Sequence, residues 1–176
     1  MAGGRDYGPT LLRELIVYVA EKSLGDPYFG MTKLNKILFL SDFEAYRQRG
    51  ASITGAQYQH LPWGPAPQQM LPALRELRES KRVFVQGEGT FAGTQERVVP
   101  TGGADIDAFK PNDIAIVADV LDRVKDLSNQ EASDFSHETI AWRITGSKQE
   151  IPYGSAVLDS EGPTDEDLWW LKTVCG

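Results

Sequence analysis

Residues 58–67, Tyr-Gln-His-Leu-Pro-Trp-Gly-Pro-Ala-Pro, put three prolines, an imidazole and an indole into ten positions. Each proline pins φ and removes an amide donor, so no α-helix can run through the stretch. Leu61, Gly64 and Ala66 precede prolines and are pushed toward extended backbone. The spacing therefore predicts an ordered turn, a rigid joint that holds its flanking segments at a set angle.

The flanks read as helices with one hairpin. Pro9 and Thr10 open a helix that carries Leu11, Leu12, Leu15, Ile16 and Val19 on one face and ends at Gly25. A second helix runs from a Thr32 cap to Gly50; Leu34, Ile37, Leu38, Ser41 and Ala45 form its stripe. Phe39, Leu40, Phe43 and Tyr46 widen that stripe until the helix is apolar most of the way round, the pattern of a buried helix. Residues 51–62, with Ile53, Tyr58 and His60, have a strand-like setting that feeds the proline joint. After the joint, Met70, Leu71, Leu74 and Leu77 face inward on a helix in which Pro72 forces either a late start or a kink. Residues 82–99 form a glycine-tipped hairpin. Ile114, Val117, Val120, Leu121 and Val124 mark the next helix, and Ser128 with Glu131 a capping box that opens a short one. Residues 146–158 are expected to be extended, and Thr164 to cap a last helix carrying Trp169 and Trp170. With no repeat, low-complexity tract or linker, residues 1–176 read as a single α+β domain, mainly helical with a small antiparallel sheet or hairpin.

Composition narrows the setting. No apolar run approaches the roughly 18 residues of a membrane span, and residues 1–10 lack the apolar core of a secretory signal. Cys175 is the sole cysteine, which suits a reducing cytoplasm and precludes an internal disulfide. The net charge of −7 argues against a generic nucleic-acid binder. It is unevenly placed: residues 31–82 carry eight basic against four acidic side chains, and residues 83–176 seven against seventeen.

Enzyme signatures fail one by one. Gly87, Gly89 and Gly93 sit at a hairpin tip rather than between a strand and a helix, so they are no dinucleotide loop. His137-Glu138-Thr139-Ile140 begins like a zincin helix, but Ala141 stands where the second histidine ligand belongs, so neither a metal nor another cofactor is expected. His137 lacks a visible nucleophile to serve as general base; it reads instead as a helix-end histidine stacked on Trp142 and bonded to a backbone carbonyl. Of adjacent Trp169 and Trp170, one packs inward and the other is a candidate exposed anchor.

Lys33-Leu34-x-Lys36, an aromatic stretch with Phe39 and Asp42, Ile53-Thr54-Gly55, Tyr58, Gly64-Pro65 and the later Ser136-His137-Glu138…Trp142 together resemble the SocA-like antitoxin family, the Panacea domain. The chain departs from that pattern in Phe39-Leu40, where a Tyr-Phe pair is common, and in Pro72. The resemblance implies a non-enzymatic, cytoplasmic antitoxin of a prokaryote or phage that neutralises a cognate toxin, encoded by the adjacent gene, by direct protein–protein binding. Partner choice then belongs to the surface. Candidate contacts are Lys33, Lys36, Phe43, Tyr46, Arg47, Tyr58, His60, Trp63 and Trp170, while Gly55, Gly64, Pro65, His137 and Trp142 build the joint. Lys33 and Lys36 are expected either to pair with Asp42 or Glu44 or to meet an acidic patch on the toxin. Trp63 is expected at the seam between the 33–47 and 68–82 helices, or as a plug in the core.

Two rivals accompany this reading. A winged-helix DNA-binding regulator would use residues 75–82 as the end of its reading helix and 86–95 as its wing, but the wing carries Glu88 and Glu96 and no cation before Arg97. Operon autoregulation would be the occasion for any nucleic-acid contact. A proteolytic adaptor that delivers the toxin to a protease would need a second surface. Self-association and a hetero-oligomer with the toxin are both compatible with the sequence.

Overall fold

A computed structural model describes residues 9–90 and 93–160. The expected C-terminal helix with Thr164, Trp169 and Trp170, and Cys175 beyond it, lie outside the described residues.

Among the described residues, six α-helices, α1 (Pro9–Lys22), α2 (Met31–Arg49), α3 (Met70–Glu79), α4 (Pro111–Val124), α5 (Asn129–His137) and α6 (Ile140–Arg143), are combined with five strands. The strands are β1 (Tyr58–Leu61), β2 (Gly64–Pro67), β3 (Val83–Thr90), β4 (Gly93–Pro100) and β5 (Glu150–Ile151). They form two antiparallel sheets, β2-β1-β5 and β3-β4. The architecture is α+β, as the helix and hairpin patterns predict.

Helix α2 is the hub. It packs against α1, α4, α5, β2, β4 and the 3₁₀ segment Tyr153–Ser160, which is why so much of its circumference is apolar. Leu34, Ile37, Leu38, Phe39, Leu40, Phe43 and Ala45 are all buried. Gly50 ends the helix in the left-handed conformation (φ 69°), its amide donating to Tyr46 O at 2.7 Å. The N-terminus differs from expectation: Gly30, not Thr32, is the cap residue, and no side chain caps it. A Cβ on Gly30 would come within 2.6 Å of the Gln95 side chain of β4, so a larger residue there would have to displace that side chain.

Three other expectations are corrected. Helix α1 stops at Lys22, ahead of Gly25, and the carbonyls beyond it are taken by Arg97. That buried guanidinium donates to Ser23 O, Leu24 O and Asp26 O at 2.9–3.0 Å and lies 5.7 Å over the Phe29 ring. Arg97, the first cation after the supposed wing, thus points into the protein and is spent on the end of α1. Leu71 is 75% exposed rather than inward; Met70, Ala73, Leu74 and Leu77 make the buried face. Pro72 is accommodated because the helix starts late: at the third helical position its missing amide has no intrahelical acceptor to lose. Residues 146–158 are extended only at β5. Pro152 then denies the ladder a donor, and the chain turns into the Tyr153–Ser160 segment.

The proline joint is the largest correction. Residues 64–67 are a strand, and 51–57 are not. Tyr58 pairs with Pro67 and His60 with Pro65, and Gln68 N donates to Gln57 O at 2.8 Å. Antiparallel bonding alternates along the ladder, so the residues without amides fall where an amide would point away from β1. Three prolines are accommodated because β2 is an edge strand and Pro62 lies in the turn.

Candidate functional site

The site is built where α2 meets the β1–β2 hairpin and the loop before it. Asp42, fully buried, accepts Ile53 N and Thr54 N at 2.8 Å on Oδ1, and Thr54 Oγ1 at 2.5 Å and Tyr58 Oη at 2.7 Å on Oδ2. Four donors converge on one carboxylate and so bind residues 53–58 to the helix. Burial pushes the Asp42 carboxyl up, while these donors pull it back toward the charged form. Gly55 takes φ +71° within this loop, its amide donating to Ser52 Oγ at 3.0 Å. Tyr58 also meets Phe39, Phe43 and Tyr153 edge-on, and Tyr153 Oη donates to Ala56 O at 2.6 Å.

The two lysines are buried and do not pair as expected. Lys33 Nζ donates to Asp26 Oδ2 at 2.5 Å and to the carbonyls of Lys125 and Leu127 at 2.9 and 2.8 Å. It ties the α1–α2 turn to the end of α4. Lys36 Nζ donates to Trp63 O at 2.6 Å, and burial holds its ammonium down to about 8. Asp42 and Glu44 serve neither: Glu44 pairs with Arg47 on the surface of α2. With Lys33 at 0% and Lys36 at 1% exposure, neither cation reaches a surface where an acidic patch could meet it. Phe43 and Tyr58 are buried as well, Tyr46 and His60 are half-buried, and Arg47 is exposed. Trp170 lies outside the described residues.

Trp63 is neither a wedge nor a core plug. It stands 80% exposed in the two-residue turn between β1 and β2, because its carbonyl, not its ring, is held by the helix below. Gly64 follows with φ +122°, and a Cβ there would approach Lys36 Nζ at 2.9 Å. Only glycine lets the backbone come this close to the lysine.

Behind the hairpin both histidines of the chain stack on one indole. The His60 ring lies 3.4 Å from that of Trp142 at 17°, and the His137 ring 4.3 Å away at 13°. Two imidazoles this close to one indole centre cannot share a face, so they flank it. The stack of His137 on Trp142 is the one the sequence suggests; its Nε2, however, is buried without a hydrogen-bond partner. His60 reads in the sequence as a strand residue and a candidate partner contact, since nothing in its spacing points to a helix some 80 residues away. Its Nδ1 is 3.0 Å from Thr145 Oγ1. Burial, then the charge of the other histidine, lower His60; burial, then Lys36, lower His137, with Asp134 opposing. Both rings are therefore neutral in the folded protein at pH 7, and the unfolded chain takes up protons first as pH falls through about 6.5. Stability carried by the stack is present above that pH and lost below it. The urea midpoint is expected to fall between pH 7.5 and 5.5, and the fall should be clearly smaller in His60→Gln/His137→Gln.

A groove of about 390 Å³ opens beside α2 and is lined by Phe43, Arg47, Arg123, Phe135 and Ala156 among others. Among the described residues no three His, Cys, Asp or Glu side chains are grouped to hold a metal ion, and no helix is long and apolar enough to cross a membrane.

Fold and site together define an α+β protein organised around one buried helix, whose polar side chains hold a loop and a proline-rich hairpin in place. The family described as Antitoxin SocA-like, Panacea domain, matches residues 34–143, and the chain belongs to that family. The match takes in Lys36, Asp42, the hairpin and Trp142. No curated protein and no solved structure matches the chain.

Proposed function

We propose that this chain, acting as one domain over residues 1–176, is an antitoxin that neutralises a cognate toxin by direct binding in the cytoplasm, without catalysing a reaction. The observation that carries the reading is the antitoxin-family match across residues 34–143. The chemistry of the site agrees with it. Three buried ionisable groups are engaged in holding the fold: Asp42 by four donors, Lys33 by a carboxylate and two carbonyls, Lys36 by Trp63 O. A protein that works by binding needs such groups for shape rather than for turnover. The contact residues that this reading retains are Trp63, His60, Tyr46, Arg47 and Trp170; Lys33, Lys36, Phe43 and Tyr58 are buried, and of these Lys36 bonds to the Trp63 carbonyl.

Co-expression with the product of the adjacent gene tests the proposal. Restored growth together with a co-purifying complex is the expected result. Restored growth with no complex would favour delivery to a protease or repression of the operon, and a harmless, non-binding neighbour would defeat the antitoxin reading.

A further inference from the structure

We infer that Trp63 is the anchor that enters an apolar pocket on the partner, and that Lys36 is the positioning residue that holds it ready. The inference deepens the direct-binding reading and rests on it.

Trp63 does nothing for the core, being 80% exposed, yet the backbone that carries it is among the most constrained in the chain. Pro62 precedes it, Gly64 follows it at φ +122°, and Pro65 and Pro67 lock the return strand. Beneath the turn, the buried Lys36 donates to the carbonyl of Trp63 itself, a neutral oxygen rather than a carboxylate. Burying an ammonium against a neutral oxygen is costly, and the lowered Lys36 reports that cost. What the arrangement secures is the position of one exposed indole. Rigid aromatic side chains presented in their bound geometry are the usual hot spots of protein interfaces, because little conformational freedom remains to be lost on docking.

The occupant this fits is a folded partner, the toxin, with a concave apolar pocket and an acceptor for the indole N–H. A second copy of this chain is the competing occupant, since the groove beside α2 has the volume to take an indole. Such a pair could form by reciprocal insertion of each Trp63 into the other copy's groove, but the antitoxin-family match across residues 34–143 points to a toxin as the partner. The toxin is the better fit.

The test uses the full chain, labelled with 5-fluorotryptophan, and the product of the adjacent gene. Trp63→Phe assigns the Trp63 ¹⁹F signal, which should shift on adding the partner and stay unshifted on raising the concentration of the free chain. Trp63→Ala should weaken binding about 100-fold with the melting temperature unchanged. Lys36→Met should weaken binding about tenfold in the wild-type background and negligibly in the Trp63→Ala background, a coupling that a merely structural lysine would not show. Lys36→Arg, which keeps a donor for the carbonyl, should recover part of the loss. If wild type forms a complex and Trp63→Ala binds as tightly, the anchor is overturned and the antitoxin reading survives. If wild type forms no complex, both fall. Self-association that depends on Trp63 would assign the indole to a second copy and overturn the proposal.

Discussion

Asp42→Ala is expected to cost about 4–6 kcal/mol of stability, the largest effect of any single change considered. Removal of the carboxylate leaves two backbone amides and two hydroxyls without their shared acceptor in a fully buried site. Each buried donor left unpaired costs roughly 1–3 kcal/mol, and the two hydroxyls can turn to recover part of that. Against a typical domain stability of about 5–15 kcal/mol, the variant should be partly unfolded at 37 °C, or melt some 10–20 °C lower. Asp42→Asn separates acceptor from charge. With its Oδ1 still accepting from Ile53 N and Thr54 N, its amide faces two hydroxyls that can reverse to accept, so a loss below about 2 kcal/mol is expected. Thermal and urea unfolding of the two variants check this. Equal losses would mean that the buried charge, rather than the number of acceptors, holds residues 53–58 to α2.

Lys33→Met is the second large effect. It strands the Asp26 carboxylate and the carbonyls of Lys125 and Leu127, all of which Lys33 Nζ now satisfies. Removal of one partner of a buried pair costs about 3–5 kcal/mol, because the other charge remains without compensation. Replacing both, as Lys33→Met/Asp26→Leu, should restore much of the loss, since the desolvation penalty disappears with the charges. The comparison is read from urea midpoints of the single and double variants. A double variant no more stable than Lys33→Met would show that the two carbonyls at the end of α4, rather than the ion pair, account for the lysine.

The same residues show how far local sequence reaches. The buried face of α1, the all-round burial of α2, the Gly50 stop, the Ser128–Glu131 capping box and the glycine-tipped hairpin all follow from spacing and propensity over a few residues. So does the rigidity of residues 58–67, since proline restricts its backbone whatever surrounds it. The family was legible too, because its motif lies in short runs around Lys33, Asp42, Thr54 and Gly64.

Tertiary structure alone decided the partners. Asp42 is bound by residues 11 to 16 positions on, Lys33 by carbonyls more than 90 positions away, and Arg97 by the end of α1. Side-chain chemistry announces that such groups need partners once buried, but not which ones, because the donors arrive from elements whose packing is set by the whole core. Trp63 is the sharpest instance. Its large apolar ring and the prolines around it read equally as a wedge, a plug or an exposed anchor, and no local rule separates the three. The register of β1 on β2 and the reach of Lys36 to a backbone oxygen placed the indole outside.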